Sequence, residues 1–326
     1  MLHWYKRGTK LRSFRMSPTL LAAILGGVAI AAVARVTGPA AARTAAHAFA
    51  RRVDLALTDD VAPRVVDRLA ARDRASGVGA LVAVAFGGLW AALTEPAETV
   101  GGIVVALAFF LGYAAGSALY GWYESTRPVP AGPRIARATT PTHADYIDPV
   151  ERLGLRIGAF LAPLLIGGLA LVDALSDAIA FGPFPVGAAV VAVVCPVVAN
   201  VAEALGARLV LARPQVAATP HELAWDDALR ARTLRDSITA PLIVTLYAPL
   251  FYLGVVDAGL EGGWPANPAV GVVSGVFGTY ILVLVLLTLL ALARRPERHF
   301  RRRLWPTAPQ AAPAVAGAQP DAEPQP

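Results

Sequence analysis

The sequence predicts an all-α, polytopic integral membrane protein with six or seven transmembrane helices. It reads as three repeated units, each a cytoplasmic amphipathic segment plus a transmembrane hairpin. Three observations carry that expectation. Hydrophobic residues make up 56% of the 326-residue chain and charged ones 16%, with mean hydropathy +0.54, a balance far more apolar than that of soluble domains. Several uncharged stretches reach the roughly 17–20 residues needed to cross a bilayer core. The 29 Lys and Arg residues lie in five blocks between those stretches.

Taken in order, the chain opens with a basic tail (Lys6, Arg7, Lys10, Arg12, Arg15) and the apolar "SPTLLAAILGGVAIAAVA", Ser17 to Ala34. That stretch is short and rich in Ala and Gly, which makes it a marginal seventh span on a scale dominated by Leu, Ile, Phe and Val. A basic stretch before an apolar core also has the form of a signal peptide, with "AARTAAHAFA" behind it as a small-residue region. The reading adopted is an uncleaved helix. Clear spans follow near 77–93, 99–122, 156–175, 184–202, 238–259 and 268–293.

The blocks of positive charge set the expected orientation. Five basic residues precede residue 17, and the other 24 fall in 35–76, 123–156, 203–238 and 294–303. The short connectors between paired spans carry none. They bear acids instead: Glu95 and Glu98, Asp173 and Asp177, Asp257 and Glu261. Because Lys and Arg are retained inside, the Arg-rich segments and the C-terminus are expected in the cytoplasm, with the acidic connectors outside. If the first apolar stretch spans, its basic tail is exported; otherwise that stretch lies at the interface or re-enters.

The repeat is visible in "HADYIDPVERLGLRIGAFLAPL" and "HELAWDDALRARTLRDSITAPL". At an offset of 78 residues, His143 matches His221, Asp148 matches Asp226, Arg152 matches Arg230, and Ala162-Pro163-Leu164 matches Ala240-Pro241-Leu242. Arg-Pro pairs at 127–128, 213–214 and 295–296 end the units. The expected division is 1–34 (tail and marginal first helix), 35–127, 128–213 and 214–303 (units one to three, the last with a basic juxtamembrane end), and 304–326, a disordered Pro/Ala-rich tail. In the third unit, Asp226 and Asp227 at the start and Arg230, Arg232 and Arg235 at the end match the helix dipole. A short interfacial helix follows from this, its Leu223, Trp225, Leu229 and Leu234 facing apolar surroundings and its arginines snorkelling to headgroups. Pro163 and Pro241 would then fall in the first two turns of their spans.

Candidate chemistry is sparse. Glu95, Asp173 and Asp257 form a conceivable outer-mouth ring of carboxylates for cations, set against the plainer reading of acidic connectors in water. His143 and His221 lack further His or Cys at ligand spacing and read as solvated loop residues. Cys195, the sole cysteine, reads as a small buried apolar group and permits no intramolecular disulfide. Gly112 with Gly116, and Gly271 with Gly275, are four apart and mark close helix packing first and an oligomer face second. No Walker A, HExxH, GxSxG or strand-linked GxGxxG motif occurs, so no catalytic, cofactor or metal site is assigned. The net charge of +6 reports topology rather than nucleic-acid binding.

The lead-in stretches "TDDVAPRVVDRLAARDRA", "GPRIARATTPTHADYIDPVER" and "HELAWDDALRARTLRD" resemble those of uncharacterised multi-pass membrane proteins of high-GC actinobacteria, over most of residues 35–300. Such proteins are often encoded beside ABC-type ATPases, which implies a transport partnership; no catalytic residue comes with the resemblance. The expectation is a non-enzymatic plasma-membrane protein, a permease-like component of a transport or envelope assembly working with an ATPase. The alternative is a self-contained channel or carrier for small solutes or ions. Expected partners are the bilayer, anionic lipid at the Arg-rich segments and at "RRPERHFRRR", and an ABC-type ATPase or a second copy of the chain.

Overall fold

The computed structural model describes residues 18–36, 38–94, 98–128, 140–176, 179, 181–261, 266–293 and 296–305. Its elements are all helices: α1 (Pro18–Val36), α2 (Pro39–Val53), α3 (Ala62–Thr94), α4 (Glu98–Thr126), α5 (His143–Tyr146), α6 (Pro149–Leu175), α7 (Val186–Ala212), α8 (Pro220–Gly259), α9 (Pro268–Ala293), a 3-10 turn at Pro296–Arg298, and α10 (His299–Leu304). Six of them, α3, α4, α6, α7, α8 and α9, are long and apolar enough to cross a membrane. They coincide with the six clear spans read from the sequence. The basic tail before residue 18, the connector residue Glu95 and the chain beyond Trp305 lie outside the described residues.

α8 organises the bundle, packing against α4, α6, α7 and α9. Its 40 residues extend about 60 Å at 1.5 Å per residue, twice the depth of a bilayer core. This corrects the expected short interfacial helix in the third unit: its polar half runs unbroken into its apolar half. The second unit does break, and the repeat shows why. The position equivalent to Asp227 is Pro149, which disfavours helical backbone at the preceding residue. Asp148 accordingly adopts φ −59, ψ 138, and its carboxylate accepts from the Val150 amide at 2.9 Å. One proline separates α5 from α6. Because α6 and α8 begin well before their apolar halves, Pro163 and Pro241 lie deep inside them rather than in their first turns.

α1 packs along α3 and α4. Ala22, near its start, meets Gly88 in the far half of α3, while its end hands the chain to α2, which packs with the beginning of α3. α1 therefore runs antiparallel to α3 rather than lying across it.

The molecule divides into two layers. In the apolar layer, only 6% of the hydrophobic stretch of α9 and 17% of that of α7 is buried by the protein. Side chains such as Phe86 (69% exposed), Phe160 (72%) and Leu175 (78%) face outward. Continuous outward apolar surface on this scale requires a lipid environment. Cys195 belongs to that surface: it is exposed on α7, not buried as the sequence suggested.

The tightest contact in this layer is between α3 and α4. A Cβ added at Gly79 would strike the Gly112 carbonyl oxygen, one at Gly112 would strike the Gly79 oxygen, and one at Gly116 would strike the Ala75 oxygen. The two backbones touch, as small residues four apart permit. The partner stripe Ala75, Gly79 and Ala83 has the same spacing as Gly112 and Gly116 and was open to the same reading. Gly275 differs, since a Cβ there would meet nothing within 4 Å. The expected packing contact within the chain is absent at that residue.

The polar layer is a single packed unit. Its core joins Phe49 and Val53 of α2, Val65 and Leu69 of α3, Tyr146 of α5 with Ile147 just after it, Leu155 of α6, Ala207 and Val210 of α7, Trp225, Leu229 and Leu234 of α8, and Phe300 of α10. All three sequence units contribute to it, so the units share a core.

Candidate functional site

Charged side chains converge on the polar layer, and α3 presents them in a ladder. Arg64, Arg68 and Arg72 are one helical turn apart, hence on one face, and that face meets α8. Arg64 Nη2 donates to Asp226 Oδ1 at 3.0 Å, and Arg68 Nη2 to Thr233 Oγ1 at 3.4 Å. Arg72 forks onto Asp236, with Nε to Oδ2 at 2.5 Å and Nη2 to Oδ1 at 2.6 Å, while Nη1 donates to Asp73 at 2.6 Å. Planar guanidinium matched to planar carboxylate gives the strongest pairing available to these groups.

The α8 arginines expected to snorkel into lipid turn inward instead. Arg232 sits 4.8 Å from the centre of the Phe49 ring, and Arg235 pairs with Glu151 (2.8 Å) and Glu297 (3.1 Å). Arg230 Nη2 donates to the Arg213 carbonyl at 2.5 Å. The reason is the course of α8: continued as one rod, it stands at the centre of the layer, not at its rim.

Asp227 is fully buried and gathers three neutral donors: Tyr146 Oη at 3.0 Å, Gln215 Nε2 at 2.8 Å and Trp305 Nε1 at 3.0 Å. It ties α5, the α7–α8 connector and the C-terminal segment to α8. That segment, expected to lie on anionic lipid, also makes contacts with protein. Arg298 Nε donates to the Arg52 carbonyl at 3.0 Å, Arg301 pairs with Asp54 at 2.7 Å, and Arg303 pairs with Asp145 at 3.5 Å. Arg302 remains exposed.

The histidines are likewise engaged, contrary to their reading as solvated loop residues. His143 Nε2 lies 3.2 Å from Glu203 Oε1, within ion-pair reach but off hydrogen-bond alignment. His221 Nε2 is 3.2 Å from the Thr58 hydroxyl. Among the described residues no three His, Cys, Asp or Glu side chains are grouped as metal ligands would be. At the opposite end, Asp173 accepts from the Phe181 amide at 2.9 Å, closing the α6–α7 connector, and Asp257 is exposed in the last turn of α8. No hydrogen bond or ion pair joins Asp173 to Asp257 among the described residues. Glu95 lies outside them.

Between α3, the end of α4, the end of α7 and α8 opens a cleft of about 790 Å³. Among the described residues, six arginines line it (Arg64, Arg68, Arg74, Arg127, Arg213, Arg230) against three carboxylates (Asp67, Glu124, Asp226), an excess of three positive charges. Glu124 holds Arg127 at 3.2 Å and Arg213 at 3.6 Å, and Asp226 holds Arg64. The hydrogen bond that Arg127 donates to Glu124 keeps its guanidinium even above its ordinary range. The sequence reading grouped these arginines at one end of the helices, where they lie, but did not bring them together. The i, i+4, i+8 arginines of α3 were the available signal.

No family model, curated protein or solved structure matches this chain. The functional reading therefore rests on the geometry alone.

Proposed function

We propose that the chain is a non-enzymatic, permease-like component of a transport or envelope assembly in a bacterial plasma membrane. Its polar layer faces the cytoplasm and meets an ATPase partner. The observation that carries this reading is the one-sided build of the molecule. Lipid-facing helices empty of charge at their centres lead into one rigid, arginine-rich layer drawn from all three hairpins and the C-terminal segment. Retention of Lys and Arg on the inner side supports the orientation. A layer held by buried ion pairs and aromatic anchors offers a partner a fixed surface, which lowers the ordering cost of docking.

Purification from native membranes in mild detergent tests this. ATP hydrolysis comigrating with the chain on size exclusion is the expected result; the isolated chain alone, from membranes that retain their other assemblies intact, counts against the reading. Cysteine labelling in a Cys195→Ser background should place Arg302 inside and Asp257 outside, and the reverse would overturn the orientation.

A further inference from the structure

We propose that the arginine-lined cleft between α3, α4, α7 and α8 is a binding site for a phosphorylated organic anion, with Arg68 and Arg74 as its principal ligands. This goes beyond the assembly reading and does not depend on an ATPase partner.

The charge count is the first argument. Of the six cleft arginines, Arg64, Arg127 and Arg213 have carboxylates within ion-pair distance. Arg68, Arg74 and Arg230 have none among the described residues. Each of these three makes one hydrogen bond to a neutral oxygen: Arg68 to the Thr233 hydroxyl, Arg74 Nε to the Ala70 carbonyl at 3.3 Å, and Arg230 to the Arg213 carbonyl. A guanidinium has five N–H donors in a rigid fork, so most of their donors remain for a ligand.

Position is the second argument. Arg68 lines both the cleft and the narrower gap beside it that Arg72, Arg232 and Asp236 enclose. A half-buried cation facing a cavity gains most from an anion brought to it, because the local dielectric is lower than that of water.

Size and lining select the ligand class. About 790 Å³ falls within the range of pockets for organic ligands, roughly 300–1,000 Å³. Tyr120, Val210 and Val216 supply apolar wall beside the guanidiniums. Forked donors with an apolar flank match a phosphate ester. A soluble metabolite and a lipid headgroup share that chemistry.

The test uses the full chain purified in dodecyl maltoside, with unfolding followed by tryptophan fluorescence at constant ionic strength. Inorganic pyrophosphate, dihexanoyl phosphatidic acid and dihexanoyl phosphatidylcholine are titrated in turn. A saturable rise in melting temperature with pyrophosphate or phosphatidic acid, and none with phosphatidylcholine, is expected. A response to pyrophosphate indicates a soluble source; one to phosphatidic acid alone indicates a headgroup. Arg68→Gln and Arg74→Gln should each weaken the response about tenfold or more, the loss of a charged hydrogen bond, while Arg302→Gln, outside the cleft, leaves it intact. Arg74 is exposed on α3, so its variant keeps the test valid should Arg68→Gln fail to fold. No saturable response to either phosphate probe, or a response that Arg74→Gln leaves unchanged, would overturn the proposal. Copurification of an ATPase plays no part in the outcome.

Discussion

The two layers of this molecule differ in their closest contacts, although the apolar layer also buries a cluster of side chains around Tyr252 and Leu253. In the apolar layer, helix faces look outward to lipid and the close contact between α3 and α4 is backbone on backbone, made by Gly79, Gly112 and Gly116. Lipid is as apolar as leucine, so burying a side chain between helices gains little there, and close approach is what remains. In the polar layer, large side chains fill a shared core, with Phe300 1% and Leu234 0% exposed, and partners up to 248 residues apart in sequence are joined by hydrogen bonds. Water surrounds that layer, so apolar burial drives its assembly. One chain thus carries a solvent-specific grammar at each end of the same helices.

The contrast can be broken most severely at the glycine contact. Gly112→Leu places a branched side chain where only backbone fits, and it should abolish the monodisperse folded species on size exclusion, since relief would require α3 and α4 to separate. In the polar layer, Phe300→Ala should cost about 3–5 kcal/mol in reversible unfolding, the range for emptying a buried aromatic site. Its intended counterpart is Leu164→Ala at a position 72% exposed; in detergent this should change stability by less than about 0.5 kcal/mol. A large effect at Leu164 would mean that another protein surface covers it.

Two electrostatic tests sharpen the comparison further. Asp236→Asn removes the carboxylate that the mostly buried Arg72 fork grips (side chains 13% and 14% exposed) and leaves Asp73 as its remaining anion, so it should cost about 1.5–3 kcal/mol. Arg64→Gln removes a pair whose arginine is 55% exposed and should cost at most about 1 kcal/mol. The smallest expected effect is a pH dependence. The Thr142 amide, with the Thr142 hydroxyl and Arg303, holds the Asp145 carboxylate below its ordinary value near 3.8. A depressed pKa stabilises the fold above the ordinary value, and the contribution is lost as pH falls through the lowered one. Exchange of the Thr142 amide should therefore stay pH-normal at neutrality and accelerate only in that acid range.

Much of the apolar layer was legible because its rule is local. Length and hydropathy alone decide whether a stretch can cross a bilayer, and all six clear spans appear as helices. The glycine stripe of α4 was legible for the same reason, since spacing on one helix suffices. The polar layer was not. Arg64, Arg68 and Arg72 find Asp226, Thr233 and Asp236 some 162 to 165 residues away, and a sequence of exposed-looking charges has no means of naming such partners. The same blindness hid the protein partners of the C-terminal arginines and made the histidines look solvated.

By itself the sequence determined which segments are apolar enough to lie in lipid and which blocks hold the positive charge, since each depends on near neighbours along the chain. Only the tertiary structure decided that α8 passes through both layers as one rod, that the three lead-in segments and the C-terminal segment form one core, and that six arginines face a common cleft. Those outcomes depend on which distant helices pack together, and the energy that selects them arises only once the backbones are side by side.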